Sequence, residues 1–487
     1  MNIFKKKSLC AALAGIGALG AAGAAQAVNL NPDGLGQALI YPYYTTRTDP
    51  AGNAYNSLLS VVNTTASVKA VKVRFLEGKN SREVLDFNLF LSPKDVWTGG
   101  IVPMGTGAGL VTNDVSCTIP AIPAGGKAFV NFSYTADGAD SSLDRTQEGY
   151  AEIIEMGTYL DDSDTAANVT HVNGVPPGCA KETDALAASE VQPPTGGLFG
   201  GMTLINVQSG SDYTEDAVAL DNFSDVANYN NSGTIKPDLT NASPAQSVVF
   251  ANGFVYTSFW NAGTADPVSA VLMHDHIMNE YVLDAATASG TDWVVTMPTK
   301  RYYVLNGTGT PPSLFQRNFN KTDGACDDVD LAIYDREENT SSTPLDFSPP
   351  PPTVTNAICW EANVITFNNS NVLGSKNSAN IPVPSGFEHG WLDVGFSQIT
   401  GTAIHTLPST DTFITDIFAF FTEGPATYVG LPVVGFAVQS FTNGVLIVNG
   451  QATLSDYGGN FAQKGTRLIE AVTPVEGGAT KKSMRTK

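Results

Sequence analysis

Between residues 68 and 76, Val71, Val73 and Phe75 alternate with Lys72 and Arg74, the two-residue period of a strand with one face buried and the other wet. Short runs of the same kind recur at 57–63, 84–91, 127–134, 149–156, 248–260, 292–297, 301–305, 357–367, 412–421 and 431–441. Between them stand Gly, Pro, Asn and Asp, the residues that turns require. Amphipathic stretches long enough to serve as crossover helices of a parallel α/β fold are few. The pattern predicts an all-β chain of antiparallel sandwiches, immunoglobulin-like or jelly-roll-like.

A second regularity acts over a longer range. Asn63-Thr64, Val68-Lys69-Ala70-Val71, Glu83, Asp95 and Pro103 return as Asn261-Ala262, Val268-Ser269-Ala270-Val271, Glu280, Asp292 and Pro298. The shift stays near roughly 200 residues, which predicts an internal duplication and hence two tandem β-sandwich domains. The expected organisation is a first domain over 28–235, a second over 236–472 and a loose basic tail over 473–487. The boundary falls in 228–244, a stretch rich in Asn, Ser, Thr and Pro. Asp144-Arg145 and Asp335-Arg336 also recur, which suggests framework salt bridges. A framework copied without a copied reactive cluster points to a scaffold or binding role and away from an enzyme.

Residues 1–27 have the form of a secretory signal peptide: Lys5 to Lys7, an apolar stretch, then Ala25-Gln26-Ala27. A membrane anchor is the competing reading, but the stretch is rich in Gly and Ala and short for a span. Beyond it no apolar run approaches the ~20 residues of a spanning helix. An outer-membrane barrel is opposed by long polar connections and by the 28 prolines. The formal charge of −21 excludes nucleic acid as a natural partner, since a phosphate backbone is held by clustered Lys and Arg. The expected location is the cell surface or the extracellular space, with the periplasm as the alternative.

After the leader four cysteines remain, Cys117, Cys179, Cys326 and Cys359, an even number in an oxidising compartment. Of the three possible pairings, the duplication favours Cys117 with Cys179 and Cys326 with Cys359. Each bridge would contribute roughly 4 kcal/mol by restricting the unfolded chain. Zinc would call for a close C-x2-C spacing that neither pair has.

Candidate chemistry is sparse. In His274-Asp275-His276 the alternate residues of a strand would aim two imidazoles to one side, the arrangement that chelates a divalent metal. Glu280 and Asp284 follow closely, whereas His171, His389 and His405 are isolated in sequence. A polar strand edge with solvated histidines is the plainer alternative. Acidic stretches around Asp323–Asp330 and Asp212–Asp221 lack the spacing of a calcium loop. Trp97, Trp293, Trp360 and Trp391 could stack on sugar rings if exposed, or be core. No nucleophile elbow, zinc helix, P-loop or haem attachment motif occurs, so no catalytic residue and no organic cofactor is assigned. Carboxylate pairs for glycoside hydrolysis are defined by the fold alone.

The strings Val84-Leu85-Asp86-Phe87-Asn88, Gly149-Tyr150-Ala151-Glu152-Ile153-Ile154-Glu155-Met156-Gly157, Thr291-Asp292-Trp293-Val294-Val295-Thr296-Met297-Pro298 and Leu431-Pro432-Val433-Val434-Gly435-Phe436 resemble those of exported or cell-surface proteins of Gram-negative bacteria that carry no assigned function. The resemblance implies export and brings no activity, cofactor or site with it. The expected function is structural or adhesive at the cell surface, with self-association through edge strands such as 38–46. Glycan binding or cleavage, and metal binding at His274 and His276, are the alternatives.

Overall fold

The alternation at 68–76 becomes the Val68–Glu77 strand, but both of its faces are buried. The same holds for its neighbour Glu148–Tyr159 and for Ala38–Thr45 beyond it. In this computed structural model, residues 26–304, 313–340, 356–399, 402–403, 405–416, 421–473 and 480–485 are described. The expected leader lies outside them except for its last two residues.

Strands make up 48 % and helices 10 % of the chain, and nearly all ladders are antiparallel, as expected for an all-β protein. In the first half a seven-stranded sheet runs Asn29–Leu30, Val218–Asp221, Ala38–Thr45, Glu148–Tyr159, Val68–Glu77, Glu83–Leu91 and Thr118–Ile119. A six-stranded sheet packs against it through Leu39, Tyr41, Val71, Val73, Phe75 and Ile153 on one side and Leu59, Val61 and Trp97 on the other. Ala38–Thr45, considered as an assembly strand, is paired on both sides within its own sheet. The short edge strands Thr118–Ile119 and Lys127–Ala128 leave little ladder open to a neighbour.

The second half contributes a five-stranded sheet, Ser378–Ile381, Ala362–Phe367, Gly290–Thr296, Val434–Val448 and Gln451–Ala462, and three four-stranded sheets. Its residues complete the core of the first half. Val294, Val364, Phe436 and Val438 belong to the cluster that holds Leu39 and Tyr41. Ala38, Ile40 and Ile154, from the opposite face of the seven-stranded sheet, join the large core of the second half. That sheet is therefore an inner layer.

Covering the second face changes the expected wet side of the Val68–Glu77 strand. Lys72 and Arg74, read as solvated, are buried and paired: Lys72 with Asp86 at 2.9 Å, Arg74 with Glu83 at 2.9 Å and Glu152 at 2.5 Å. Lys69–Glu155 at 2.6 Å and Arg145–Glu77 at 2.6 Å extend the layer. The polar stretch expected as a linker covers part of it, since Asn231 O accepts from Lys72 Nζ while Leu239 and Ala242 enter the core.

Local structure follows the sequence where its signals are strong. Asn252-Gly253, both at positive φ, closes the Gln246–Ala251 and Phe254–Phe259 hairpin. Elsewhere the expectations shift. Residues 301–305, read as a strand, begin with the helical turn Arg301–Val304. Val268–Val271, matched in the repeat to the Val68–Glu77 strand, lies in the helix Asp266–Leu272. Pro267 sits at its first turn, where a missing N–H costs nothing, and Asp266 complements the helix dipole. Within the tail, Thr480–Arg485 pairs as a strand with Leu468–Thr473. Both expected disulfides are present, Cys117–Cys179 and Cys326–Cys359, closing loops of 62 and 33 residues.

Candidate functional site on an outer sheet face

One four-stranded sheet of the second half, Asp330–Asp335, His389–Gly395, His276–Val282 and Lys464–Thr466, carries several of the sequence-predicted polar candidates. Alternation sends Ile277, Tyr281, Ile333, Leu392 and Val394 into the core. The intervening residues form a solvent-facing grid. Across the strands the register aligns Tyr334, Trp391 and Glu280, then Ala332, Asp393 and Met278, then Asp330, Gly395 and His276.

Trp391 is 37 % exposed and stacks on Tyr334, with ring centroids 4.3 Å apart and planes 9° from parallel. The pair sits beside Glu280, which is exposed. On the next rows His276 Nδ1 lies 2.8 Å from Asp393 Oδ1. Gly395 lets the imidazole lie low, because a Cβ there would come within 3.1 Å of its Cε1. An aromatic plate flanked by carboxylates and an imidazole can stack on the apolar face of a sugar and hydrogen-bond its hydroxyls.

His274 does not share this face. The strand breaks at Asp275, whose buried carboxylate accepts the Thr466 hydroxyl at 2.7 Å. Met273–His274 pairs instead with Leu431–Pro432. The His274 ring packs against Gly465 and its Nδ1 is 2.9 Å from Leu272 O. Burial, with Arg467 nearby, pushes its pKa down to about 3, so it is neutral at physiological pH. Among the described residues no group of three or more His, Cys, Asp or Glu is assembled for a metal.

The remaining candidates scatter. His171 bonds Ser92 Oγ at 2.6 Å, His389 stands 3.9 Å from Asp284, and His405 is buried. Trp97 and Trp293 are core, and Trp360 receives Lys79 over its ring at 5.0 Å. Asp212, Glu215 and Asp216 lie on an edge strand, where Glu215 accepts from Asn460 across the halves. Tyr334 and Asp393 were not singled out by the sequence. The alternation of Leu331 and Ile333 with Ala332 and Tyr334 was the available signal for the first.

A second concave surface, of about 910 Å³, lies on the outer face of the six-stranded sheet. It is lined by Leu58, Val102, Phe199, Ile205 and Val207 over a floor of glycines. Its apolar walls suit a protein surface better than a sugar. Comparison with protein-family models, with curated proteins and with solved structures finds no match to this chain.

Proposed function

We propose that this is an exported adhesive protein of the cell surface, not an enzyme, which holds glycans on the Trp391–Tyr334 face. The stacked, exposed aromatic pair with Glu280, Asp393 and His276 around it carries this reading. Two disulfides fit an oxidising compartment outside the cytoplasm. No helix among the described residues is long and apolar enough to cross a membrane. Segments 28–235 and 236–472, read as sandwiches of common origin, would give such an adhesin a stiff body, though the helix at Asp266–Leu272 departs from that symmetry. The apolar groove offers a further contact surface for another copy or another surface component.

A glycan array probed with the purified protein tests the proposal. Saturable binding to a defined glycan class is expected, weakened about tenfold or more by Trp391→Ala, equivalent to ~1.4 kcal/mol. Absence of any glycan capture, or capture that survives Trp391→Ala unchanged, overturns it.

A further inference from the structure

Lys300, Asp327 and Glu361 are buried near the contact between the halves, at 1 %, 0 % and 1 % exposed. Lys300 follows the Gly290–Thr296 strand, and its N–H bonds back to Met297 O at 3.1 Å. The Met297 N–H donates to Glu361 O at 2.7 Å, so both residues are fixed by one turn. Asp327 arrives on a short strand paired with Ala357–Ile358 and clamped by Cys326–Cys359.

The geometry around the pair is unusual for a salt bridge. Lys300 Nζ is 2.8 Å from Asp327 Oδ2, yet neither atom has a hydrogen-bond partner of acceptable direction. Asp327 Oδ1, in contrast, accepts the Gln316 N–H at 2.8 Å. The Phe315 ring lies 5.6 Å from the ammonium. His405, whose pKa burial lowers, is the further titratable group that feels both partners. Burial pushes the Glu361 carboxyl up to about 8 against the pull of Lys300, and Ser81 Oγ donates to it at 2.8 Å. A buried ion pair seldom recovers the free energy of stripping water from both charges. Condensation would remove them.

We propose that Lys300 Nζ and Asp327 Cγ become joined by an isopeptide bond once the chain has folded. One proton passes from the ammonium to the carboxylate, and the freed nitrogen lone pair attacks Cγ. Oδ1 holds the developing negative charge against the Gln316 N–H. The Cγ–Oδ2 bond then breaks, and Oδ2 leaves as water with a second proton passed from the newly attached nitrogen. The ion pair and the amide plus water contain the same atoms and the same net charge, so no oxidant or co-reactant enters. Fixing amine and carboxyl at contact supplies the effective concentration that an unactivated acid lacks in solution.

Tandem mass spectrometry of the natively purified, reduced and digested protein decides the matter. A branched peptide containing Lys300 and Asp327, lighter by one water than its two parts, is the expected product. Linear peptides alone from the folded wild-type protein overturn the proposal, a test that does not depend on any variant folding.

Discussion

Asp292 illustrates how burial acts on one side chain. It lies wholly buried in the Gly290–Thr296 strand, accepting the Ser370 hydroxyl at 3.0 Å and the Leu373 N–H at 2.9 Å. Burial outweighs these bonds and raises its pKa from 3.8 to about 7. The folded value exceeds the unfolded one, so the folded chain binds the extra proton between the two. The associated stability is full below about pH 4 and is lost as pH rises through about 7. Asp292→Asn should remove this loss, gaining on the wild type by up to about 1.4 kcal/mol per pH unit across that window. Urea unfolding of both proteins at several pH values measures it; a difference independent of pH refutes the assignment. At this scale the sequence was least informative. Trp97 and Trp391 occupy similar strand contexts, and only the layers above them make one core and the other surface.

Among the elements, the Val68–Glu77 strand shows pattern and environment separating. Its period was legible from Val71, Val73 and Phe75, and the strand formed where that period stands. The fate of Lys72 and Arg74 was not legible, because their counter-charges Asp86, Glu83 and Glu152 come from neighbouring strands and their cover from the second half. Arg74→Met is expected to cost roughly 3–5 kcal/mol, since it strands Glu83 and Glu152 in the interior. Denaturant titration reads this directly, and a loss under about 1 kcal/mol, the range of exposed pairs, would mean that water reaches the layer. The helix Asp266–Leu272 teaches the complementary lesson. Val268-Ser269-Ala270-Val271 matches Val68-Lys69-Ala70-Val71 at three of its four positions, but Asp266 and Pro267 precede only the former and start a helix.

For the molecule as a whole, the seven-stranded sheet as an inner layer couples the halves. Tyr150 donates to Pro298 O at 3.2 Å, Thr296 to Pro42 O at 2.6 Å, and Ser375 to Glu148 at 2.6 Å, all buried. Two apolar clusters each draw residues from both halves. Unfolding should therefore occur in one transition, coincident by tryptophan fluorescence and circular dichroism, and a fragment of residues 28–235 should fail to fold stably because it exposes Ala38, Ile40 and Ile154. Two resolved transitions, or a well-folded fragment, would contradict this coupling.

What the sequence determined by itself are the features set by near neighbours along the chain: the strand periods, the Asn-Gly hairpin and the β-rich composition of the fold. The expected cysteine pairing, Cys117 with Cys179 and Cys326 with Cys359, also formed. What only the tertiary structure decided are the properties of meetings between distant segments: Trp391 against Tyr334, His276 with Asp393 but apart from His274, and Lys300 at Asp327. Exposure, protonation and partnership depend on which layer covers a residue, and that is a property of how the sheets stack, not of the order in which the residues occur.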